Sequence, residues 1–428
     1  MGKLLSALYA PTEQTAADAL PWAWVAAGLG AHRWSILAGP GEVASAVGVH
    51  QQDAVAQRVR SLRRRHGRAD AEALLADLQA DVAAGWVVAG WLGYEVGAAL
   101  EGLPLGGEER NVPDAMWWLC APQAVHPVAL RPLFAGAAPV ATPPGLARQS
   151  RRYQAQVDTI VGRIADGEVY QVNLTAATSL RHPVAVDARA AVTALMAAQP
   201  VPMAIAIGGA DHQGRRGELV AAGSMEQFLR VAGDTVTTRP IKGTAPRGRS
   251  PALDGMARDA LAASAKERAE NTMIVDMARN DLQRACLSGS VHVEVLCQPA
   301  PYATLWHLES QVRGQLRSAS VADLLRATLP PASVTGCPKV QAMHVVAQLE
   351  RRRRGPYCGT LFVAHPKHGI DFAVAIRTLV FARGRVQISA GAGIVADSQP
   401  DQEWRETCLK AQSGLQALQL LRVQGHGD

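Results

Sequence analysis

The sequence predicts an α+β fold whose sheets are largely antiparallel. Strand-like apolar runs follow one another without an intervening helix, which argues against a doubly wound parallel sheet. Apolar residues at helical spacing are confined to a few longer segments. The 48% apolar and 19% charged fractions are typical of a globular chain, and 428 residues allow two ordinary domains or one large domain.

Runs of apolar and β-branched residues bounded by turn residues predict the strands. These strands cover residues 34–38, 86–93, 169–175, 203–207, 218–222, 235–239, 291–296, 359–364, 372–380 and 385–390. Apolar residues at helical spacing predict helices at 54–82, 151–166, 257–279, 321–327, 338–351 and 401–420. Gly167 directly follows the second of these helices and suits a C-cap.

One segment reads as a linker between two parts of the chain. Residues 134–148, FAGAAPVATPPGLAR, are rich in Pro, Gly and Ala and lack periodicity. We therefore predict an N-terminal region at 1–133, a linker at 134–149 and a larger domain at 150–424.

The chain is basic, with a formal charge of +6 and a pI of about 9.1. Arginines cluster at 58–65 (RVRSLRRR) and 351–354 (RRRR). Such a balance could serve nucleic acid, a membrane surface or small acidic substrates. We expect solvated arginine faces and no nucleic-acid partner, because no aromatic interleaving or nucleic-acid module accompanies the runs.

The cysteines and the apolar segments bear on location. Six cysteines lie far apart without a C-x-x-C pair, which is typical of reduced thiols in a cytosol. The longest apolar region, 190–207, is interrupted by Gln199, Pro200 and Pro202, so no membrane span is expected. We therefore predict a cytoplasmic protein.

Two carboxylate groups could hold a hard cation. Glu267 and Glu270 are three residues apart on a predicted helix, and Glu403, Glu406 and Lys410 share one face of another. Carboxylates from two helices that met across a pocket would suit Mg²⁺, which takes few carboxylates plus substrate oxygens. Taken alone, each group is more often a charged solvent face.

Four further features have both a structural and a functional interpretation. Glu226, between two strands, would ordinarily lie on the surface. Gly391-Ala392-Gly393 and Thr335-Gly336 could offer backbone N–H groups to an anion, or could be plain turns. Lys242, at a strand end in P-I-K-G-T, could be a surface lysine or a nucleophile.

Eight segments, taken in order, resemble the chorismate-utilising family, which includes anthranilate, aminodeoxychorismate, isochorismate and salicylate synthases. They are GEVYQVNLT (167–175), PIKGTAPRG (240–248), KERAENTMIVDMARNDLQRAC (266–286), SVTGCPKVQAM (333–343), YCGT (357–360), DFAVAIRTL (371–379), AGAGIVADS (390–398) and EWRETCLKA (403–411). AGWLGYEVGAALEGLP (89–104) resembles the family's N-terminal region more weakly. The resemblance implies two antiparallel sheets packed as a sandwich with helices outside, and a chorismate-binding catalytic domain at 150–424.

The resemblance also implies the roles of individual residues. Glu270 and Glu406 match the Mg²⁺ ligands, and Glu267 and Glu403 match residues that hold metal-bound waters. Glu226 matches the carboxyl group that transfers a proton at the leaving hydroxyl. The remaining matches surround the substrate: Arg377, Tyr357, Lys410 and the amides of Gly391, Ala392 and Gly393 near its carboxylates, and His307 and Thr335 near its ring.

Two positions indicate the branch of the family. Gln171 stands where the isochorismate and salicylate enzymes have a water-activating lysine. Lys242 stands where anthranilate synthases typically have alanine and aminodeoxychorismate synthases have lysine. The resemblance therefore implies amination of chorismate at carbon 4 to 4-amino-4-deoxychorismate, a step toward 4-aminobenzoate and folate.

The resemblance leaves the ammonia source and three alternatives to consider. No cysteine lies in the G-x-C-x-G setting of a glutaminase nucleophile, so a separate glutamine amidotransferase subunit is implied. The alternatives are anthranilate synthase component I, an inactive regulatory homologue, and a nucleic-acid binder that uses the arginine runs. The presence of Lys242 argues against the first, and the complete set of site residues argues against the second.

Overall fold

The computed structural model describes residues 32–38, 45–50, 54–60, 67–104, 112–122, 125–129, 140–182, 186, 188–199, 201, 203–208, 218–302 and 305–424. These residues form two antiparallel β-sheets that pack face to face, with helices on the outer sides. The predicted α+β fold is therefore confirmed. No helix in the described ranges is long and apolar enough to cross a membrane.

The strands run in chain order as follows: β1 (His32–Ala38), β2 (Ser45–His50), β3 (Ala54–Arg60), β4 (Val87–Leu92), β5 (Ala115–Cys120), β6 (Val125–Ala129), β7 (Gln171–Arg181), β8 (Met203–Gly208), β9 (Leu219–Ser224), β10 (Gln227–Ala232), β11 (Thr235–Arg239), β12 (Ile241–Pro246), β13 (His292–Pro301), β14 (Leu305–Gln315), β15 (Gly336–Cys337), β16 (Thr360–His365), β17 (Gly369–Val374), β18 (Thr378–Ala382) and β19 (Arg385–Ile394). The first sheet has the order β15-β7-β19-β18-β9-β8-β1-β2-β6. The second has the order β12-β14-β11-β10-β17-β16-β4-β5-β3, with β13 paired to β14.

The helices, again in chain order, are α1 (Gly67–Ala83), α2 (Tyr94–Leu100), α3 (Pro144–Ala147), α4 (Ser150–Ala165), α5 (Ala188–Ala198), α6 (Pro251–Ala263), α7 (Ala265–Gln283), α8 (Val321–Thr328), α9 (Lys339–Glu350) and α10 (Pro400–Gln424). Helix α10 packs on α4, α5 and β19 of the first sheet. Helix α7 packs on β12, β13 and β14 of the second sheet.

Side chains that alternate between the two faces of each strand produce a core in layers. In β4, Val87 and Trp91 face the other sheet, whereas Val88 and Leu92 face the outer helices. Because successive side chains of a strand point to opposite faces, continuous apolar runs suit strands that are buried on both sides. The apolar layer between the sheets and the two outer layers together hold the sandwich.

Strands from the N-terminal region complete both sheets. The strands β1, β2 and β6 extend the first sheet, and β3, β4 and β5 extend the second. The division at 134–149 stays a prediction. Part of that linker lies outside the described residues, and the described part contains the short helix α3.

The two sheets are joined at one corner by a pair of crossing segments. The chain leaves β9 in the first sheet and enters β10 in the second through Met225 and Glu226. It returns from β17 to β18 through residues 375–377. The crossings are bonded to each other, since Val374 N donates to Glu226 O at 3.1 Å and Gly223 N donates to Arg377 O at 3.2 Å.

The structure corrects two long elements. The single strand predicted at 372–380 is two strands, because the chain changes sheets at Arg377, whose φ is 52°. The single helix predicted at 257–279 is α6 and α7, which are separated at Ser264. The Ser264 hydroxyl accepts the N–H of Glu267 at 3.4 Å, so the S-x-x-E spacing was a capping signal that helical periodicity alone missed.

Two further expectations are wrong. The helix predicted at 54–82 begins as strand β3, because pairing with β5 overrides its helical spacing; residues 61–66 lie outside the described ranges. The second arginine run is not a solvated face throughout, since Arg353 and Arg354 are 3% and 1% exposed. Arg353 binds Asp114 and Arg354 binds Glu350, so both charges are paired inside the protein.

Candidate active site

The candidate site lies at the corner where the sheets are joined. Glu226 and Arg377 come from the two crossing segments, Lys242 from β12 and His307 from the neighbouring β14. The fold therefore brings together residues that are far apart in the sequence. All four side chains are charged or titratable. Glu226 and His307 are buried, and Lys242 and Arg377 are partly buried, so their environment decides their chemistry.

Glu226 is a buried carboxyl group, not the surface residue expected from its position alone. It is 7% exposed and lines a cavity between the second sheet and α7. Burial raises the pKa of Glu226 to about 7, while the Ser333 hydroxyl and the Lys242 ammonium oppose the rise. A carboxyl group in this range can give or take a proton near neutral pH.

Lys242 lies beside Glu226. Its Nζ donates to the Ser333 carbonyl at 3.1 Å, and its charge acts on Glu226 and on the carboxylates of Glu267 and Glu406. Gly243, directly after it, has a φ of 81° and packs against Glu267. The lysine amine therefore lies between a proton-transfer group and an acidic cluster.

His307 presents an unpaired nitrogen. Its Nδ1 is 3.1 Å from Thr244 Oγ1 and 3.2 Å from the Gly243 carbonyl, which can only accept, so the network assigns the proton to Nδ1. Burial and the Arg377 and Lys410 charges lower the pKa of His307 to about 4. The ring is therefore neutral at pH 7, and its buried Nε2 has no partner among the described residues.

The glycine segment lies inside β19 and is not a turn. Beyond Ile388 only β7 pairs with β19 in the described structure, so the other edge of residues 389–394 is open. The Gly391 carbonyl accepts Lys410 Nζ at 3.2 Å and therefore points to that open edge. Since N–H and C=O of one strand residue point the same way and alternate, Gly391 and Gly393 offer N–H groups there and Ala392 does not.

Arg377 and Lys410 lie at this edge, and the Tyr357 phenol lies close enough to Arg377 to interact with its charge. Arg377 donates to the Lys410 carbonyl, and Lys410 forms an ion pair with Glu406. Burial lowers the pKa of both Arg377 and Lys410. Burial also raises the pKa of Tyr357, while the Arg377 charge opposes that rise. The two cations and the phenol O–H are suited to an anionic ligand.

The carboxylates of two helices face one another. Burial raises the pKa of Glu267, and the charges of Glu270 on α7 and Glu406 on α10 raise it further. Burial and the charge of Glu406 raise the pKa of Glu403, which accepts the Ser398 hydroxyl at 2.7 Å. Burial would raise the pKa of Glu406 too, but the Lys410 charge lowers it overall.

These carboxylates are side chains of the kind that Mg²⁺ takes as ligands, but they do not form a closed cage. No group of three or more His, Cys, Asp or Glu side chains in the described ranges is arranged to hold a metal by itself. Mg²⁺ commonly takes one or two carboxylates together with waters and substrate oxygens. Mutually repelling carboxylates on α7 and α10 would be stabilised by such an ion.

Thr335 lies in the turn that also carries Ser333. Thr335 is buried, its Oγ1 donates to Pro331 O at 2.8 Å, and its carbonyl accepts Asn173 N at 2.9 Å. Because the Ser333 carbonyl binds Lys242, this turn joins the lysine to β7.

The structure also adds Gln171 to the site. Val172 and Leu174 face the outer core, so Gln171 and Asn173 project from the opposite face of β7. Gln171 is 1% exposed, and both of its amide atoms lack partners in the described residues. Its Nε2 lies in the space that a side chain at Gly393 would occupy. Only its place in a motif marked Gln171 in the sequence, because burial of an unpaired amide is visible only in the fold.

Comparisons with known proteins identify the family. Residues 137–416 match the family model described as chorismate binding enzyme. The aminodeoxychorismate synthase of Streptomyces pristinaespiralis is 41% identical over 269 residues, which are 62% of this chain and 36% of that protein. Anthranilate synthase component 1 of Streptomyces coelicolor is 40% identical over 258 residues, 60% of this chain and 49% of that protein.

A solved structure supports the fold. Anthranilate synthase component I from Streptococcus pneumoniae superposes with a TM-score of 0.68 at 23% identity, covering 89% of this chain and 92% of that one. The fold is an α+β sandwich with charged and titratable side chains gathered at one corner. This chain belongs to the family of chorismate binding enzymes. It matches half or less of the length of the two curated relatives named above.

Proposed function

We propose that this protein aminates chorismate at carbon 4 with ammonia and forms 4-amino-4-deoxychorismate. The observation that carries the proposal is the position of Lys242, whose amine donates to the Ser333 carbonyl and whose charge acts on the protonatable Glu226. A lysine at this place gives the site a nucleophile of its own. The 41% identical aminodeoxychorismate synthase supports the same assignment.

The charges of the pocket suit the substrate. Chorismate carries two carboxylates, and Arg377, Lys410 and the open-edge N–H groups of Gly391 and Gly393 can bind them. Tyr357 adds an O–H donor, because its raised pKa keeps the phenol protonated. Neutral His307 and Gln171 have buried polar atoms without partners in the described part of the chain, and these atoms can bind the ring's oxygen substituents.

Mg²⁺ is part of the proposal. Glu270 and Glu406 would hold it, and Glu267 and Glu403 would hold its waters. The ion would neutralise charge on the ring carboxylate.

The chain's own groups account for the two displacements. Once its ammonium proton has passed to the Glu226 carboxylate, the Lys242 amine attacks carbon 2, the double bond shifts, and the bond from carbon 4 to its hydroxyl breaks. Protonated Glu226 gives its proton to that hydroxyl, which leaves as water. Ammonia then attacks carbon 4, the double bond shifts back, and the bond from carbon 2 to Lys242 breaks, which returns the lysine amine. The ammonium group formed at carbon 4 gives one proton back to Glu226. The net change is chorismate plus ammonia to 4-amino-4-deoxychorismate plus water.

The same site argues against water as the nucleophile. Gln171 cannot remove a proton from water as a lysine amine can. Anthranilate synthase component I is the second candidate, because a relative of that name is 40% identical. We propose that ammonia comes from a separate glutamine amidotransferase, and that the product leads to 4-aminobenzoate and folate.

Product identity tests the proposal. The purified chain is incubated with chorismate, an ammonium salt and Mg²⁺ above pH 8, and the products are separated by chromatography. We expect 4-amino-4-deoxychorismate. Anthranilate as the main product would favour the second candidate, and isochorismate would overturn the assignment of Gln171. No consumption of chorismate would support the regulatory homologue.

A further inference from the structure

The buried guanidinium of Arg354 binds backbone carbonyls from two separate segments of the candidate site. Arg354 Nη1 donates to the Val334 carbonyl at 2.9 Å and Nη2 to the Asn173 carbonyl at 2.5 Å. Val334 lies between Ser333, which binds Lys242, and Thr335. Arg354 thereby fixes the turn that holds the lysine against the strand that carries Gln171.

The guanidinium is itself held from two sides. Glu350 accepts from Arg354 Nε at 3.2 Å and from Nη2 at 2.8 Å, a bidentate pair in which both side chains are 1% exposed. The Tyr94 ring lies 4.5 Å from the guanidinium carbon and contributes a cation–π contact. Because all three guanidinium nitrogens of Arg354 donate hydrogen bonds, its side chain has little freedom to move.

The backbone on which Arg354 sits is fixed by the N-terminal region. Glu95, 4% exposed on α2, accepts the Arg354 N–H at 2.5 Å through one oxygen and the Gly355 N–H at 2.9 Å through the other. In return, Tyr94 N donates to Gly355 O at 2.8 Å. One carboxylate therefore holds two successive peptide groups, two residues before Tyr357.

Helix α2 also touches the segment that leads into the Ser333 turn. A side chain at Gly97 would lie 2.4 Å from Pro330 N, so the helix backbone packs directly on residues 329–330. The helix thus contacts both segments that Arg354 connects. Glu95 lies outside residues 137–416, to which the family model extends.

We propose that Glu95 is a positioning residue for the substrate pocket. It acts through Arg354 on the Ser333–Thr335 turn that holds Lys242, and through Gly355 on the segment that carries Tyr357. The N-terminal region then contributes to catalysis without touching substrate. This inference rests on the proposed function for its kinetic readout.

The test compares Glu95→Gln with Asp114→Asn in the full chain. Gln at 95 keeps one acceptor but turns an N–H₂ toward the second peptide N–H. Asp114→Asn is the matched control, because it weakens a buried carboxylate that binds Arg353, the neighbour of Arg354. Both variants should lose similar unfolding free energy, measured with urea, since each weakens a buried charged contact at the same junction.

The kinetic result should separate them. We expect Glu95→Gln to lower kcat/KM for chorismate by at least roughly tenfold relative to Asp114→Asn, because small misplacements of reacting groups cost rate. Its unfolding midpoint should match the control. Equal kcat/KM in the two variants would overturn the proposal. If Glu95→Gln does not fold, Glu95→Asp decides in the same way, since aspartate keeps the charge but its shorter side chain cannot hold both peptide N–H groups in the same geometry.

Binding of chorismate is measured separately by calorimetry. If the wild type binds chorismate but makes another product, the proposed function is contradicted. The role of Glu95 is then tested by comparing the chorismate affinities of the two variants. A wild type that makes the expected product, with Glu95→Gln indistinguishable from Asp114→Asn, overturns the positioning role alone.

Discussion

Burial gives Glu226 a proton at neutral pH that an exposed glutamate would have lost. Its pKa of about 7 comes first from desolvation, against the opposing influence of Ser333 and Lys242. The same desolvation keeps His307 neutral, with a pKa of about 4. At pH 7 the pocket thus combines a carboxyl group that can donate a proton with a ring that cannot.

The first prediction concerns Glu226→Gln. A carboxyl pKa raised from 4.5 to about 7 contributes stability that is fully present below pH 4.5 and is lost as the pH rises through 7. The difference corresponds to roughly 3 kcal/mol, as an order of magnitude. Glutamine does not titrate, so the variant lacks this pH-dependent loss. The difference in unfolding free energy between variant and wild type should therefore shift in favour of the variant from pH 4 to pH 8. Amination of chorismate by the variant should nearly stop.

Urea unfolding at pH 4 and pH 8 checks the stability, and product formation checks the activity. If the unfolding free energies of the wild type and Glu226→Gln depend on pH in the same way, Glu226 does not have the raised pKa. Normal turnover of the glutamine variant would remove it from the proton transfer.

At the residue scale, motifs identified which residues matter but not their surroundings. Lys242 could be singled out from P-I-K-G-T, yet only the fold places its amine 3.1 Å from the Ser333 carbonyl. The burial of Arg354 was missed, because a run of four arginines looks like a solvated face until its partners Glu350 and Glu95 are located. Glu350 lies only four residues before Arg354, but Glu95 comes from α2, and sequence spacing carries no information about that distant pairing.

At the scale of secondary-structure elements, helices α7 and α10 form the proposed metal site together, since each presents carboxylates to the other. We expect Glu270→Gln and Glu406→Gln to slow amination by more than the roughly 10- to 100-fold that loss of an outer-shell partner costs. The reason is that glutamine keeps the shape but is a poorer ligand for a hard cation. Rates measured against Mg²⁺ concentration should show a higher requirement, and EDTA should inhibit the wild type.

Asp276→Asn is the control for these variants. It lies on α7 with its carboxylate paired to Arg279 in solvent, so it changes the helix charge without changing the site. It should keep the Mg²⁺ dependence of the wild type. Activity of Glu406→Gln equal to that of the control at limiting Mg²⁺ would exclude the proposed metal site.

Elements with a clear period were predictable, and elements shaped by tertiary contacts were not. Helices α4 and α9 were predicted to within a residue or two, because their apolar stripes are regular. The strand at 372–380 was wrong because its apolar run continues through the change of sheet at Arg377. That crossing is a property of the whole sandwich, and it places Arg377 at the site.

At the scale of the whole molecule, the site depends on both sheets and on both ends of the chain. The N-terminal strands complete the sheets, and α2 supports the Arg354 junction. A further prediction belongs here: the chain alone should use ammonium salts at high pH, where free ammonia is available, but not glutamine. Addition of a separate glutamine amidotransferase subunit should confer use of glutamine.

The amount of product formed with ammonium and with glutamine, each measured with and without the partner subunit, checks this prediction. Chorismate with ammonium and no partner is the positive control for the fold and the site. Glutamine-dependent product from the rigorously purified single chain would contradict the requirement for a partner.

The central claim is that Lys242 forms a covalent bond to the substrate and so directs ammonia to carbon 4. Mass spectrometry of the intact protein, incubated with chorismate and Mg²⁺ without ammonia, tests it directly. We predict an adduct of substrate minus water on a peptide containing Lys242, which is absent in Lys242→Ala, together with a large loss of 4-amino-4-deoxychorismate formation in that variant. An adduct on another residue, or amination at carbon 4 by Lys242→Ala at the wild-type rate, would contradict the account.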